Sequence, residues 1–460
     1  MAEKRLKITF YGGTSEVTGA NFLVETLDEP KPVRFLVDCG LFQGSKMLDA
    51  RNRETFPYEL SQIDYLFITH AHIDHTGRIP KIVRDGFEGK IMSTHPTKDL
   101  ASVMLLDSMG VLGKQAAQDD KPPLYNEDDV AKSMTLWTSV DYHQEVNIEN
   151  VFRIRFLDAG HTLGSAMIEI LYNDKKIMFT GDLGNNPAPL LKNAEALEKV
   201  HYLVIESVYG DRNHEHREER KQLLEDVIEE TMRRGGVLMI PAFSLERTQE
   251  LLYEIEGMME QERIPLVPVF VDSPLAIKVT DIYKKYEDYF NKDVSHVIKS
   301  GNEIFQFAQL HFTMTTEESK AIKDFPAPKI ILAGSGMSNG GRILHHEKLY
   351  LPDPKNTLLL AGYQAAGTLG RRIQDGEKMV KIHGEFVNIA ARVAQIHGYS
   401  GHMDSEHLLE FVAHSEDTLE HVFVTMGEPK SSLFLVQRLR DYLGLSATSP
   451  QAGEEAIITC

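Results

Sequence analysis

The chain has 460 residues with 68 acidic against 49 basic side chains, a formal net charge of −19, which excludes a broadly basic polyanion-binding surface, because phosphate affinity rests on Lys and Arg displacing counterions. The length implies two or three domains' worth of core, and no apolar run reaches the ~18 residues of a membrane span or follows the basic N-terminus as a leader would. Two cysteines, Cys39 and Cys460, exclude a disulfide framework and a cysteine-based zinc site, so a soluble, cytoplasmic protein without membrane partners is expected.

Short apolar runs ending in Gly, Asp or His predict strands in chain order at "KITFYGG", "NFLVET", "VRFLVDCG", "YLFITHAH", "KIMST", "RIRFLDAGH", "AMIEILY" and "KKIMFTGD". After "YLVIES" the pattern changes. Residues 215–234 set Leu224, Val227, Ile228 and Met232 on one helical face before Gly235-Gly236. The strand "VLMI", a helix through "LERTQELLYEIEGMME", "LVPVFV", "SPLAIKVTDIYKKY" and "KIILAGSG" running into "NGGRILHHEKLY" follow. This strand–helix alternation predicts a mostly parallel α/β sheet. From "NTLLLAGY" onward, "MVKIHG" and "HVFVTMG" read as strands, with helices beginning near Ser405 and Ser431. The order suggests a strand-rich domain, an inserted α/β domain and a return to the first.

The segment "HAHIDHTG" comes right after the apolar run Tyr65-Leu66-Phe67-Ile68. His70 and His72, two apart, point to the same side of a strand end, while Asp74 and His75 fall on the turn entering the next helix. Imidazole nitrogen and carboxylate oxygen are the donors zinc-like ions take, and a catalytic site leaves one position open for water. Asp38, His161 and Asp182 each end another apolar run. Any one of these would pass for a turn residue; together they suggest a cluster on one sheet edge. "GSGMSNGGR" places small residues between a strand and a helix, where backbone N–H groups can face a phosphate. Ser335 and Gly336 are therefore candidate substrate contacts, with Arg247 as a phosphate partner.

The sequence HxHxDH after a strand, followed by "GHTLGSA" and "TGDLGN", resembles the metallo-β-lactamase fold of metal-dependent hydrolases. "ESVYGDR", "IPAFSLERTQELL", "VDSPLA", "GSGMSNGGR", "AGYQAAGTLGRR", "KIHGEFVNIAARVAQIHGYSGHMD" and "VFVTMGEP" are similar to blocks of its β-CASP branch of nucleic-acid nucleases, in particular the prokaryotic RNA-processing type. The resemblance implies an αββα sandwich at 1–205, an inserted parallel α/β β-CASP domain at 206–365 and completion of the first domain at 366–460. Carried over, His70, His72 and His161 hold one zinc ion, Asp74 and His75 a second, Asp182 bridges them, and Asp38 orients the ligand turn. Glu206 pairs with His402, the general acid, while Asp74 also serves the nucleophile. The implied activity is hydrolysis of single-stranded RNA through a metal-bound hydroxide in the interdomain cleft. Other substrates on this scaffold (DNA, a thioester or lactone) and a non-catalytic RNA-binding role are alternatives, and a homodimer is left open. One position departs from the pattern: Met426 stands where RNA-type members usually place a His, so the second zinc is expected to be the weaker.

Overall fold

The structure is a computed structural model that describes residues 4–44, 46–214, 219–365 and 367–460. It divides into two compact units, Met1–Asn213 with His402–Cys460, and His214–Gly401.

The first unit holds two seven-stranded sheets. One runs in the order Glu454–Thr459, Arg5–Gly12, Asn21–Thr26, Arg34–Val37, Tyr65–Phe67, Lys90–Thr94 and Trp137–Val140. The other runs Ala447–Thr448, His421–Val424, Tyr202–Ile205, Lys175–Phe179, Ala166–Tyr172, Phe152–Asp158 and Val146–Ile148. Alternate side chains of the two sheets form one apolar core that includes Ile8, Phe10, Phe35, Phe67, Phe156, Ile168 and Phe179. Phe35 of the first sheet meets Phe152 of the second edge-on, ring centroids 5.2 Å apart, the geometry in which a positive ring edge faces a negative ring face. Helices Ser405–Ala413 and Pro429–Leu443 cover the outside of the second sheet through Leu408, Val412, Leu435 and Leu439. Strands Arg34–Val37 and Tyr65–Phe67 are parallel neighbours, as are Lys175–Phe179, Tyr202–Ile205 and His421–Val424. Each parallel set therefore delivers its following loops to one edge.

The second unit is built on a six-stranded sheet whose pairings are all parallel, as the strand–helix alternation predicts. The helix expected over 215–234 is seen as Arg220–Arg233; residues 215–218 lie outside the described residues, as does Ala366 in "AGYQAAGTLGRR". Strand Arg392–Ile396 pairs with Thr357–Ala361 in this sheet. That pairing keeps the chain in the second compact unit up to Gly401.

Candidate metal centre

The site begins with strand ends. His70 and His72 follow Tyr65–Phe67, and His72 caps the short helix Ile73–Thr76 that carries Asp74 and His75. His161 follows Phe152–Asp158, Asp182 follows Lys175–Phe179 and Glu206 follows Tyr202–Ile205. Two glycines allow the approach. A Cβ on Gly40 would lie 1.5 Å from the Asp74 carbonyl oxygen, and one on Gly181, at φ +56°, would lie 2.6 Å from Thr69 Cβ.

His70 Nε2 and His161 Nε2 lie 3.1 and 3.2 Å from His72 Nδ1, and both lie 3.4–3.5 Å from Asp182 Oδ2. Donors held ~2.0–2.1 Å from a tetrahedral zinc ion stand ~3.3–3.4 Å from one another, so these spacings are those of a ligand set. Hydrogen bonding points the lone pairs inward. The Thr69 hydroxyl donates to Asp38 Oδ2 at 2.8 Å and lies 3.1 Å from His70 Nδ1. With its single proton used on Asp38, it accepts from His70 Nδ1–H, which leaves Nε2 as the donor atom. Asp38 also takes His75 Nδ1–H at 2.7 Å and the Thr69 N–H at 2.9 Å. His75 Nε2 then faces Asp182 Oδ1 at 3.3 Å, and neither atom has a hydrogen-bond partner. Two buried lone pairs in contact are costly unless a cation, a metal ion or the proton of an imidazolium, lies between them, and, against burial, Asp182 and Asp38 push His75 well above the usual imidazole range. The residues present therefore fit a metal.

Charge follows the same arrangement. Burial, reinforced by neighbouring imidazoles, holds His72 and His161 well below the usual imidazole range, which keeps them neutral. Burial alone would raise Asp182, but His75 and His70 hold it well below the usual carboxylate range. For Asp74 burial prevails and pushes the carboxyl up. Among the described residues, the groups of three or more His, Cys, Asp or Glu with donor atoms within 4.8 Å of one another are His70–His72–His161–Asp182 and Asp182–Glu206–His402. Asp74 and His75 complete no such group, and Met426 lies in the apolar core with Phe22 and Phe179.

Beside the ligands, buried Glu206 accepts the Leu183 N–H at 2.6 Å, and its two oxygens lie 3.3 and 3.2 Å from His402 Nδ1. The His402 ring packs on His161, centroids 4.8 Å apart, and remains 25 % exposed.

The other candidates lie in the second unit. Ser335 Oγ accepts the N–H groups of Asn339 and Gly340 at 3.1 and 3.2 Å, and Gly336 sits under the Phe243 ring. Arg247 is buried, its guanidinium bonded to Glu250 and placed over Tyr399, so its side chain is committed inside the unit. Arg342 is likewise taken up by Asp272 and the carbonyls of Thr313 and Met314. Thr69 and Ser165, whose hydroxyl receives the His161 and Thr162 N–H groups, are support residues that sequence reasoning passed over. The only signal is a hydroxyl residue one before and four after a ligand histidine.

A four-donor His/Asp cluster at the strand ends of a two-sheet sandwich defines a metal-dependent hydrolase. Models of known families match in the same sense: "Metallo-beta-lactamase superfamily domain" at 26–208, "Beta-Casp domain" at 248–373 and "Zn-dependent metallo-hydrolase RNA specificity domain" at 387–450. The chain is 35 % identical over 408 residues to "Ribonuclease TTHA0252" of Thermus thermophilus, covering 88 % of this chain and 90 % of the relative. It is 33 % identical over 446 residues to "Transcription termination factor FttA" of Methanosarcina mazei, covering 94 % of this chain and 68 % of that one. A crystal structure of a protein of unknown function from Enterococcus faecalis V583 shares the fold, with TM-score 0.57 and 14 % identity over 99 % of this chain and all of that chain. The chain belongs to the β-CASP branch of the metallo-β-lactamase superfamily.

Proposed function

We propose that the chain is a zinc-dependent ribonuclease that hydrolyses phosphodiester bonds of single-stranded RNA. The observation that carries this reading is the spacing of the His70, His72, His161 and Asp182 donors. The RNA specificity domain model and the ribonuclease relative support the substrate. Those four residues would hold one zinc ion, and Asp74, His75 and the second oxygen of Asp182 a weaker one. Bound zinc supplies a Lewis acid for a phosphoryl oxygen and lowers the pKa of water towards ~7.

The chain's own groups do the rest. Asp38 and Thr69 fix the ligand imidazoles, so no reorganisation is needed when charge builds up. Glu206 receives Nδ1–H of His402, which orients the ring and leaves Nε2 to carry the proton for the departing 3′-oxygen. Cation charge at the site offsets the acidity of the chain as a whole where the phosphate sits. No helix of the described residues is long and apolar enough to cross a membrane, and both cysteines are free; a cytoplasmic setting accords with this.

The test incubates zinc-loaded protein with end-labelled RNA and DNA of equal sequence, beside the Asp74→Ala variant. RNA is expected to be cleaved, DNA to be cleaved poorly, and the variant to lose at least ~10²-fold in rate. Preferential DNA cleavage, or a folded Asp74→Ala protein with full activity, would overturn the reading.

A further inference from the structure

Gly401 is the last residue of the second unit and His402 the first of the resumed first unit, so the residue read above as the general acid hangs directly from the segment Gly398–Gly401. That segment is held by an unusual concentration of buried charge. The Tyr399 hydroxyl donates to Glu254. The guanidinium carbons of Arg220 and Arg247 lie 5.7 and 5.5 Å from the Tyr399 ring centroid, a distance at which the ring face attracts a cation. Arg220 also reaches Glu254 at 3.7 Å and the Gly398 carbonyl at 3.5 Å, and Arg247 bonds Glu250. All five side chains are at most 9 % exposed. Glu246, held at φ 71° and ψ −63°, lies against the Gly401 backbone so closely that a Cβ there would be 2.6 Å from its carboxylate.

Burying this many charges rarely gains stability over an apolar packing, while removing one partner is costly. What the arrangement provides is definition of one short segment. From Tyr399 to His402 there are three peptide links, ~10 Å of chain at most, with one flexible glycine among them.

We propose that Tyr399 is a positioning residue for His402: its hydroxyl, held by Glu254, and its ring, flanked by Arg220 and Arg247, fix Gly398–Gly401 and so the place from which the imidazole protonates the leaving oxygen. The proposal rests on the reading of His402 as the acid. A displaced acid costs only where the leaving group needs a proton, and that separates positioning from general loosening of the fold.

The experiment compares full-length, zinc-loaded Tyr399→Phe with the unmodified protein on RNA and on an aryl phosphodiester whose phenolate leaves unprotonated. The expected result is a kcat on RNA lowered about 10-fold, with the aryl ester rate within about twofold, and KM for RNA and zinc content unchanged. Equal loss on both substrates, or no loss on RNA, would overturn the proposal. His402→Ala runs in parallel: if it too loses equally on both substrates, the reading of His402 has failed rather than the role of Tyr399 alone. Should Tyr399→Phe not fold, Glu254→Gln keeps an acceptor for the phenol and carries the test. A smaller loss with the same RNA selectivity supports the clamp, and an unselective one overturns it.

Discussion

Met426 places a thioether on the loop after strand His421–Val424, with its backbone N–H bonded to the Gly13 carbonyl at 2.6 Å. Its side chain is 2 % exposed, and a Cβ on Gly13 would lie 2.3 Å from its sulfur. Together with Asp38, Thr69 and His75 it helps to bound a cavity of about 10 Å³, too small for much beyond a water molecule. A neutral, soft sulfur is a poor zinc ligand, and this one is packed as an apolar filler. A second ion would thus rest on His75, Asp182, Asp74 and solvent, while the first has four converging donors. Graded chelation should remove one zinc equivalent well before the other. Met426→His should narrow the gap, since the φ of +48° at this position is one that His tolerates better than most residues. Metal analysis showing two equally retained ions, unchanged in the variant, would refute this asymmetry.

Among the elements, helix Ile343–Tyr350 raises a different question. Its Glu347 is fully buried, accepts the Ser338 hydroxyl through one oxygen and has no hydrogen-bond partner on the other. Burial pushes its pKa up to about 8. Between the usual carboxyl value and that one, the folded chain keeps a proton the unfolded chain has lost. Stability is therefore fully present at low pH and falls as pH rises towards about 8, by up to ~1.4 kcal/mol per pH unit. Glu347→Gln should flatten the fall in Tm between about pH 5 and pH 8 and raise Tm at the upper end; parallel Tm–pH curves for the two proteins would show that Glu347 does not titrate so. The strands that lead to the site are legible because Tyr65–Phe67, Phe152–Asp158 and Lys175–Phe179 each carry an apolar run that is followed by a polar candidate ligand. It hid the helix His95–Gln118, whose buried residues are only Pro96, Thr97, Leu100, Ala101, Leu105 and Ala116, while Leu106 and Val111 face solvent. With apolar residues on all sides there is no stripe to read. Strand Glu454–Thr459 buries only Ile458 fully, so no alternation marks it. Likewise the candidate ligand histidines announce themselves by spacing, whereas Asp272 gathers Thr313, Ser319, Arg342 and His346 from distant segments, a convergence that exists only after folding.

For the molecule as a whole, the candidate ligands come from two sheets. His70 and His72 hang from the first sheet of the sandwich, His161 and Asp182 from the second, so an ion held by all four would link strand ends of both sheets, in addition to the apolar core and to bonds such as Ala166 N–H to the Thr69 carbonyl at 2.7 Å. An ion present at ~1,000 times its Kd adds ~4 kcal/mol to the stability of the state that binds it. Without an ion, the buried donor atoms of these residues are left facing one another at 3.1–3.5 Å. The parallel six-stranded sheet of the second unit contributes none of these four donors. Removing zinc should therefore lower Tm and speed amide exchange at the turns around residues 69–76, 159–165 and 180–184, together with the C-terminal ends of the strands that precede them. Amides of Val237–Pro241, Lys329–Ala333 and Thr357–Ala361 in the second unit should exchange as before. Exchange measured with and without chelator decides the matter. Loss of protection spread evenly over both sheets systems, or unchanged protection at the ligand turns, would mean that the ion does not tie the two sheets of the sandwich together.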